Sequence, residues 1–449
     1  MKSQQLRFLP SLFIALLLSL SSCSGGTPKG VDSSHEGESP HVEDHSDLDM
    51  DATVDVDFIE VQSVNTLRNS FNELMVYGIL ENVGEATVGN LRVEIEFLDA
   101  AGSVIHQAVT YKAGYGLAPG EKIPFHYYSM ETLPEQTDTR ITIASLQPMV
   151  KDPANVVVKG ATIRYLQSGF LQIVGEISNP NATPILIPEI EAALMDSEGA
   201  FLAAEECDIC SRYLEPGEKG PFRVLLYGLP EKVASSDQFE IYAFAQASLS
   251  DDEIRLDWSP DQITFLDPLN WFHLVGEVEN KGDVPINLHL LGTLYDTEGN
   301  VADVAARELI PHVVPPGERT GYDLKFWGPH VASEEIEEVG TWHIQVDRYR
   351  TQSTSIQPIE LTTSGVEATY TPGKYEFIGK VINDSGNPVF SSTIVVLLRD
   401  RMSDQIVAMG GMDYLGPVEE VGVDFVITAF FPLTYNEGTL TYTIYASGN

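Results

Sequence analysis

A set of landmarks returns four times along this chain, and its spacing leaves room for little other than a tandem repeat. The third copy carries it most fully: Gly276-Glu-Val-Glu-Asn280, then Leu294-Tyr295-Asp296 with Gly299 behind it, then Pro316-Gly317-Glu318. Copy one has Gly78 and Asn82, Leu98-Asp99 and Gly102, and Pro119-Gly120-Glu121. Copy two has Gly175 and Asn179, Leu194-Met195-Asp196 and Gly199, and Pro216-Gly217-Glu218. A worn fourth copy has Gly379 and Asn383, Leu398-Arg399-Asp400, and Gly416-Pro417. The leading glycines lie roughly 100 residues apart, the size of one small domain, so a repeated unit accounts for most of the chain.

Inside each copy the apolar residues alternate, which is the period of a strand. Leu91, Val93, Ile95 and Phe97 interleave with Arg92, Glu94 and Glu96, and Phe272, Leu274 and Gly276 show the same rhythm. Asp296-Thr-Glu-Gly299 reads as a hairpin turn, and Pro-Gly-Glu separates the next strands, reopened by Phe125, Phe222 and Tyr322. Each copy closes on a short alternating strand, such as Trp342/Ile344/Val346. About seven short strands per ~100 residues predict an all-β chain of tandem immunoglobulin-like antiparallel β-sandwiches. The expected repeats span 58–150, 151–250, 251–350 and 351–449, joined by short polar linkers as semi-rigid beads.

Leu294-Tyr295-Asp296, with the Gly-x-Val-x-Asn strand before it and Gly299 and Pro-Gly-Glu after it, resembles the bacterial FxLYD domain family. The resemblance covers residues 58–449 as four copies. Copies one, two and four depart from Leu-Tyr-Asp, and Gly292 stands where the family has Phe. What it implies is small extracytoplasmic β-sandwich modules without established chemistry.

The N-terminus reads as a processing segment. Lys2 and Arg7 precede an apolar run from Leu12 to Leu20, too short to span a bilayer well. Leu20-Ser21-Ser22-Cys23 resembles a bacterial lipobox, which implies a signal peptide over 1–22 and a lipidated Cys23. An ordinary secretory signal is the alternative. Residues 24–57 are rich in Asp, Glu, Gly, Ser and Pro, so with Cys23 they are expected to form a disordered acidic tether. His35, His41 and His45 among its carboxylates suit weak capture of Zn²⁺ or Ni²⁺, against the plainer reading of a solvated charge run. Asp47, Asp49, Asp51 and Asp55 follow an EF-hand spacing, but Ala52 and Phe58 stand where Gly and Glu are needed.

With 66 acidic against 26 basic residues the chain carries a formal charge of −40. That argues against nucleic acid and against attachment to anionic lipid through a basic patch. Membrane contact is therefore expected through the lipid on Cys23, with an envelope protein or glycan as further partner. No cofactor is expected, and no G-x-S-x-G, H-E-x-x-H or P-loop occurs in the sequence. Cys207 and Cys210 form a C-x-x-C, read as a local disulfide of an oxidising compartment rather than a redox pair. All four tryptophans, Trp258, Trp271, Trp327 and Trp342, fall in copy three. Trp342 aligns with apolar positions and is expected in the core. Trp271 aligns with Glu73 and Lys374, so it is expected to face solvent as a ligand contact, unless a neighbouring copy covers it.

These readings predict a non-catalytic, lipid-anchored extracytoplasmic protein with a structural or protein- or glycan-binding role at the bacterial cell envelope. The alternatives are a lipoprotein that captures glycan or peptide through copy three, and a hydrolase or enzyme accessory using unrecognised carboxylates.

Overall fold

The structure is a computed structural model that describes residues 55–69, 72–129, 133–134, 138–149, 154–166, 170–230, 233, 236–248, 254–308, 313–326, 339–348, 350–353 and 358–448. It is all-β, with antiparallel pairing throughout and short 3₁₀ turns at Val56–Phe58 and Glu437–Thr439. No described helix is long and apolar enough to cross a membrane. Cys23, His35, His41 and His45 lie outside the described residues.

The first repeat contains β1 (Ile59–Arg68), β2 (Leu74–Asn82), β3 (Val88–Leu98), β4 (Val104–Lys112), β5 (Lys122–Tyr128) and β6 (Asp138–Pro148). They form two three-stranded sheets, β1-β2-β5 and β4-β3-β6. Leu74, Val76 and Leu80 meet Leu91, Val93, Ile95 and Phe97 between the sheets, as the alternation requires.

The second repeat holds β7 (Val157–Tyr165), β8 (Leu171–Ser178), β9 (Ile185–Met195), β10 (Phe201–Cys210), β11 (Tyr213–Leu214), β12 (Lys219–Leu226) and β13 (Gln238–Ala247). Here β10 pairs with β9 over its first half and with β12 over its second, so both layers join into one seven-stranded sheet. The third repeat runs from β14 (Leu256–Trp258) and β15 (Ile263–Leu266) through β16 (Phe272–Asn280), β17 (Ile286–Asn287), β18 (His289–Asp296) and β19 (Val301–Glu308). It continues with β20 (Arg319–Phe326), β21 (Val339–Val346) and β22 (Gln352–Ser353). Because β22 pairs with β17, the chain leaves this repeat after residue 353 rather than at 350. The fourth repeat has β23 (Ile359–Glu360), β24 (Thr362–Thr371), β25 (Lys374–Ile382), β26 (Ser391–Asp400), β27 (Ile406–Leu415), β28 (Val423–Phe430) and β29 (Leu440–Gly448). Its sheets are β24-β25-β28 and β23-β29-β26-β27.

The landmarks are the fixed points of this fold. Gly276 pairs directly with Tyr322, and a Cβ on it would sit 2.4 Å from the phenol oxygen. The ring lies over the bare glycine, and Gly78/Phe125, Gly175/Phe222 and Gly379/Phe425 repeat the pairing. The Asn280 amide donates to the Val284 and Val314 carbonyls and its Oδ1 accepts from Gly282, which ties one turn to the strand before Pro-Gly-Glu. Asp296 Oδ1 accepts from the backbone of Glu298 and Asn300, closing the hairpin in which Gly299 takes φ 86°. In the fourth repeat the turn that replaces Pro-Gly-Glu falls at Glu419–Gly422, where Gly422 N–H donates to the Glu419 carbonyl. Gly416-Pro417 is thus not that landmark; the turn keeps its place just after the carbonyl that the Asn383 amide meets, and only its Pro-Gly-Glu sequence is lost.

Candidate functional site: the junctions between repeats

Residues Ala52–Asn449 form a single compact unit, so the repeats are packed on one another and the picture of separate beads on linkers is corrected. One mode of contact occurs three times. The outward face of the sheet containing the leading glycine packs against the fourth long strand of the next repeat. Thus β2 and β5 meet β10, β8 and β12 meet β19, and β16 and β20 meet β27. The alternation of a strand makes this efficient, since residues flanking the glycine on one face build the core and those on the other build the junction.

At the first junction Met75 and Tyr77 are buried in the core of the second repeat. The Tyr128 hydroxyl donates to Glu205, and Asn65 Nδ2 donates to the Leu202 carbonyl at 2.6 Å. Burial pushes the Glu205 carboxyl up to about 7, with the Tyr128 hydrogen bond opposing it. His126, 3.3 Å from Glu205, is driven down to about 3 by burial and then by the Lys112 charge, so it is neutral. Lys112 bridges to Glu189 and Glu191 of the second repeat. Burial works against its charge, and the two carboxylates outweigh that and raise its pKa.

The second junction is polar at its centre. Gln172 Nε2 donates to Asp303 at 2.8 Å, and Arg223 donates through Nη1 to the Val304 carbonyl while forking onto Asp208. Arg164 Nη1 donates to the Ala302 carbonyl, and the Tyr295 hydroxyl to Glu176. Val174, Val301 and Val304 fill the space between.

The third junction encloses a charged histidine. The His273 ring lies with Nδ1 2.8 Å from Asp323 Oδ1 and Nε2 3.3 Å from Asp267 Oδ2, all three residues buried. Phe265 stacks on the ring with centroids 4.6 Å apart. Burial alone would lower the imidazole, and the Asp323 charge with both hydrogen bonds reverses that and raises it. Asp323 is desolvated too, yet the facing imidazolium holds it below the ordinary aspartate range. Around them Val275, Val395, Leu397, Ile406 and Met409 close an apolar shell, and Arg399 donates to Glu277 at 2.7 Å.

The sequence-predicted site residues stand apart from one another. Trp271 is half-buried at the end of the β15–β16 hairpin, where its N–H donates to Asp267 Oδ1 and its carbonyl accepts from Asp267 N–H. Those bonds fix its backbone, and the half-burial leaves the residue only partly open to solvent. Trp342, expected in the core, is 39% exposed and its indole N–H donates to Gln262 Oε1 at 2.7 Å. Ile344 and Val346, on the same face of β21 as Trp342, do pack on the core cluster, so the face was assigned correctly and the core stops short of Trp342. Cys207 and Cys210 are joined in a disulfide inside β10, where that strand passes from β9 to β12, rather than in a connection.

The main clefts also follow the junctions. One of about 470 Å³ lies between Asn65 and Leu67 of the first repeat and Asp196, Leu202 and Ser236 of the second. Another of about 420 Å³ lies between Val314 and Arg319 of the third and Val395 and Tyr445 of the fourth. Trp271 lines neither. Among the described residues no group of His, Cys, Asp and Glu is arranged to hold a metal ion. Both ring nitrogens of His273 are occupied by the carboxylates of Asp267 and Asp323, so the chemistry of the set is that of a buried ion cluster.

No family model matches the chain, and no curated protein matches it. Among solved structures it is similar to the native conformation of E. coli alpha-2-macroglobulin, at 10% identity over 85% of this chain and 29% of that one, with a TM-score of 0.11. It is also similar to a beta-glucuronidase from glycoside hydrolase family 2, at 9% identity over 68% of this chain and 29% of that one, TM-score 0.10. The chain spans under a third of the length of either. Likeness at this level assigns no activity.

Proposed function

We propose that the protein is a non-catalytic, lipid-anchored scaffold of the bacterial cell envelope, an extracytoplasmic stack of FxLYD-type sandwiches held to the membrane through Cys23. The observation that supports the scaffold reading is the use of outward sheet faces. Faces that separable binding modules would keep for ligands are spent on the next repeat at all three junctions, through Tyr128–Glu205, Gln172–Asp303 and Arg399–Glu277. A stack with buried polar junctions resists bending more than modules joined by linkers alone.

Two experiments test the reading. Cell fractionation of the wild type and a Cys23→Ala variant is expected to move the chain from the membrane to the soluble fraction; unchanged membrane association overturns the anchor. Intrinsic tryptophan fluorescence against glycans and cell-wall fragments is expected to show no saturable change. A saturable change lost in Trp271→Ala would replace the scaffold by a ligand-capturing lipoprotein, and turnover of a polymer by the purified chain would replace it by an enzyme.

A further inference from the structure

The junction that repeats inside the chain has a matching face left exposed on the first repeat and another on the fourth. Each of the first three repeats buries the residue before its leading glycine under its successor, so Tyr77, Val174 and Val275 are fully buried. The corresponding residue of the fourth repeat, Ile378, is 47% exposed. One strand away, the residue after the aromatic partner of the glycine behaves alike. Arg223 and Asp323 are buried at this position, whereas Val426 is 58% exposed. The β24-β25-β28 sheet therefore presents an exposed apolar pair where the interior junctions have buried contacts. Lys380 and Asp424 beside it pair with each other at 3.3 Å, and the exposed Glu367 across from Ile378 leaves the patch net negative.

The matching face of the first repeat is exposed too. Val301 and Ile406 open the strands that dock onto the preceding repeat, and both are buried. Val104 opens β4, the matching strand of the first repeat, and is 43% exposed. Ile105, Val109 and Tyr111 extend the exposed apolar row, with Tyr111 at 68%. β4 is also an edge strand of its sheet, and its own row from Val104 to Tyr111 is uncharged, with Glu94 and Glu96 of β3 standing across from Val109 and Gln107.

From this continuity we infer that a second copy of the chain occupies these faces: the β24-β25-β28 face of one copy docks on β4 of the next, in the arrangement of the interior junctions. Ile378 and Val426 then take the places of Val275 and Asp323, and Val104 that of Ile406. The contact is heterologous, because the two surfaces differ, so it propagates into a linear assembly instead of closing as a two-fold dimer. The chain's charge of −40 opposes association, so assembly strengthens as salt screens the copies from one another.

The test is sedimentation of the full chain in non-ionic detergent at rising concentration and ionic strength, alongside Ile378→Asp and Tyr111→Asp. The wild type is expected to form oligomers beyond the dimer, growing with salt. Each variant alone is expected to stay monomeric, and an equimolar mixture of the two to form a one-to-one pair and nothing larger, because each supplies the face the other lacks. Association through an anchor would persist in both variants alone and overturns the inference. So does a wild type that stays monomeric, or a mixture that fails to pair while circular dichroism shows both variants folded. A different protein captured on the Ile378 face in place of a second copy also overturns it.

Discussion

Asn280 donates from its side-chain amide to the carbonyl of Val314 at 2.9 Å, bridging 34 positions of sequence inside the third repeat. Asn82, Asn179 and Asn383 make the same bond to Leu117, Leu214 and Val418. In each repeat the amide also satisfies a turn carbonyl four residues on, at Ala86, Thr183, Val284 and Asn387. Two loops that would otherwise bury unpaired backbone groups are thereby pinned to one side chain.

Replacing Asn280 by Leu keeps the volume and removes the donors. Two buried carbonyls and the Gly282 N–H then lose their partner, and the expected loss of stability is about 2–4 kcal/mol. Chemical denaturation of the wild type and Asn280→Leu measures it. A loss below about 0.5 kcal/mol would mean that water reaches these carbonyls.

The His273 cluster predicts a pH window. A raised histidine contributes stability that is fully present below its unfolded value of 6.5 and lost as pH rises through the higher folded value. Asp323 is lowered, so its contribution is present above 3.8 and lost as pH falls below it. The cluster therefore stabilises most between about pH 4 and 6.5. His273→Leu leaves two buried carboxylates facing an apolar group, and a cost of about 3–5 kcal/mol is expected in that window. Thermal melts of the two proteins from pH 4 to 9 should show the gap in melting temperature narrowing above neutrality.

Glu205 titrates with the opposite kind of shift for a carboxylate. Burial holds its proton on up to about pH 7 in the folded chain against an ordinary 4.5, so folding costs more as pH rises through that interval. The cost is on the order of 3 kcal/mol by pH 8. Glu205→Gln mimics the protonated acid. It should match the wild type near pH 5 and melt higher at pH 8. His126 titrates in the reverse sense, being held neutral by burial, so its contribution falls on the acid side, away from the pH 8 comparison.

The Cys207–Cys210 disulfide closes a short loop at the point where β10 changes partner from β9 to β12. The chain-entropy account gives about 2 kcal/mol for a loop this small. A Cys207→Ser/Cys210→Ser variant is expected to unfold at correspondingly lower denaturant, and hydrogen exchange should locate the loosening in the β10–β12 ladder around Val224 and Phe222. Equal stability of the oxidised and reduced wild type would assign the pair no structural role.

The landmark residues were legible because each answers a local demand of the backbone. Gly276 is bare where Tyr322 lies over it, Asp296 caps its own turn, and Asn280 reaches fixed points of its own repeat. Such demands recur in every copy, so the spacing survives. The junctions were not legible, since a strand residue facing a neighbouring repeat alternates like one facing water. Gln172, His273 and Asp323 look like solvent-face residues by type, and nothing in a period of two distinguishes a face covered by another sandwich. Trp342 differs in another way: it shares the core-directed face of Ile344 and Val346, and alternation cannot say how far along a strand the core extends.

The sequence by itself determined that this chain is a tandem array of antiparallel strands with turns at the Asn, Asp and Gly landmarks, because those features depend on contacts within one repeat. Only the tertiary structure decided which outward faces are buried, that His273 is held between Asp267 and Asp323, and that Ile378 and Val104 are exposed. Those outcomes depend on where a neighbouring repeat sits, and a surface becomes interior only when another surface arrives to exclude the water.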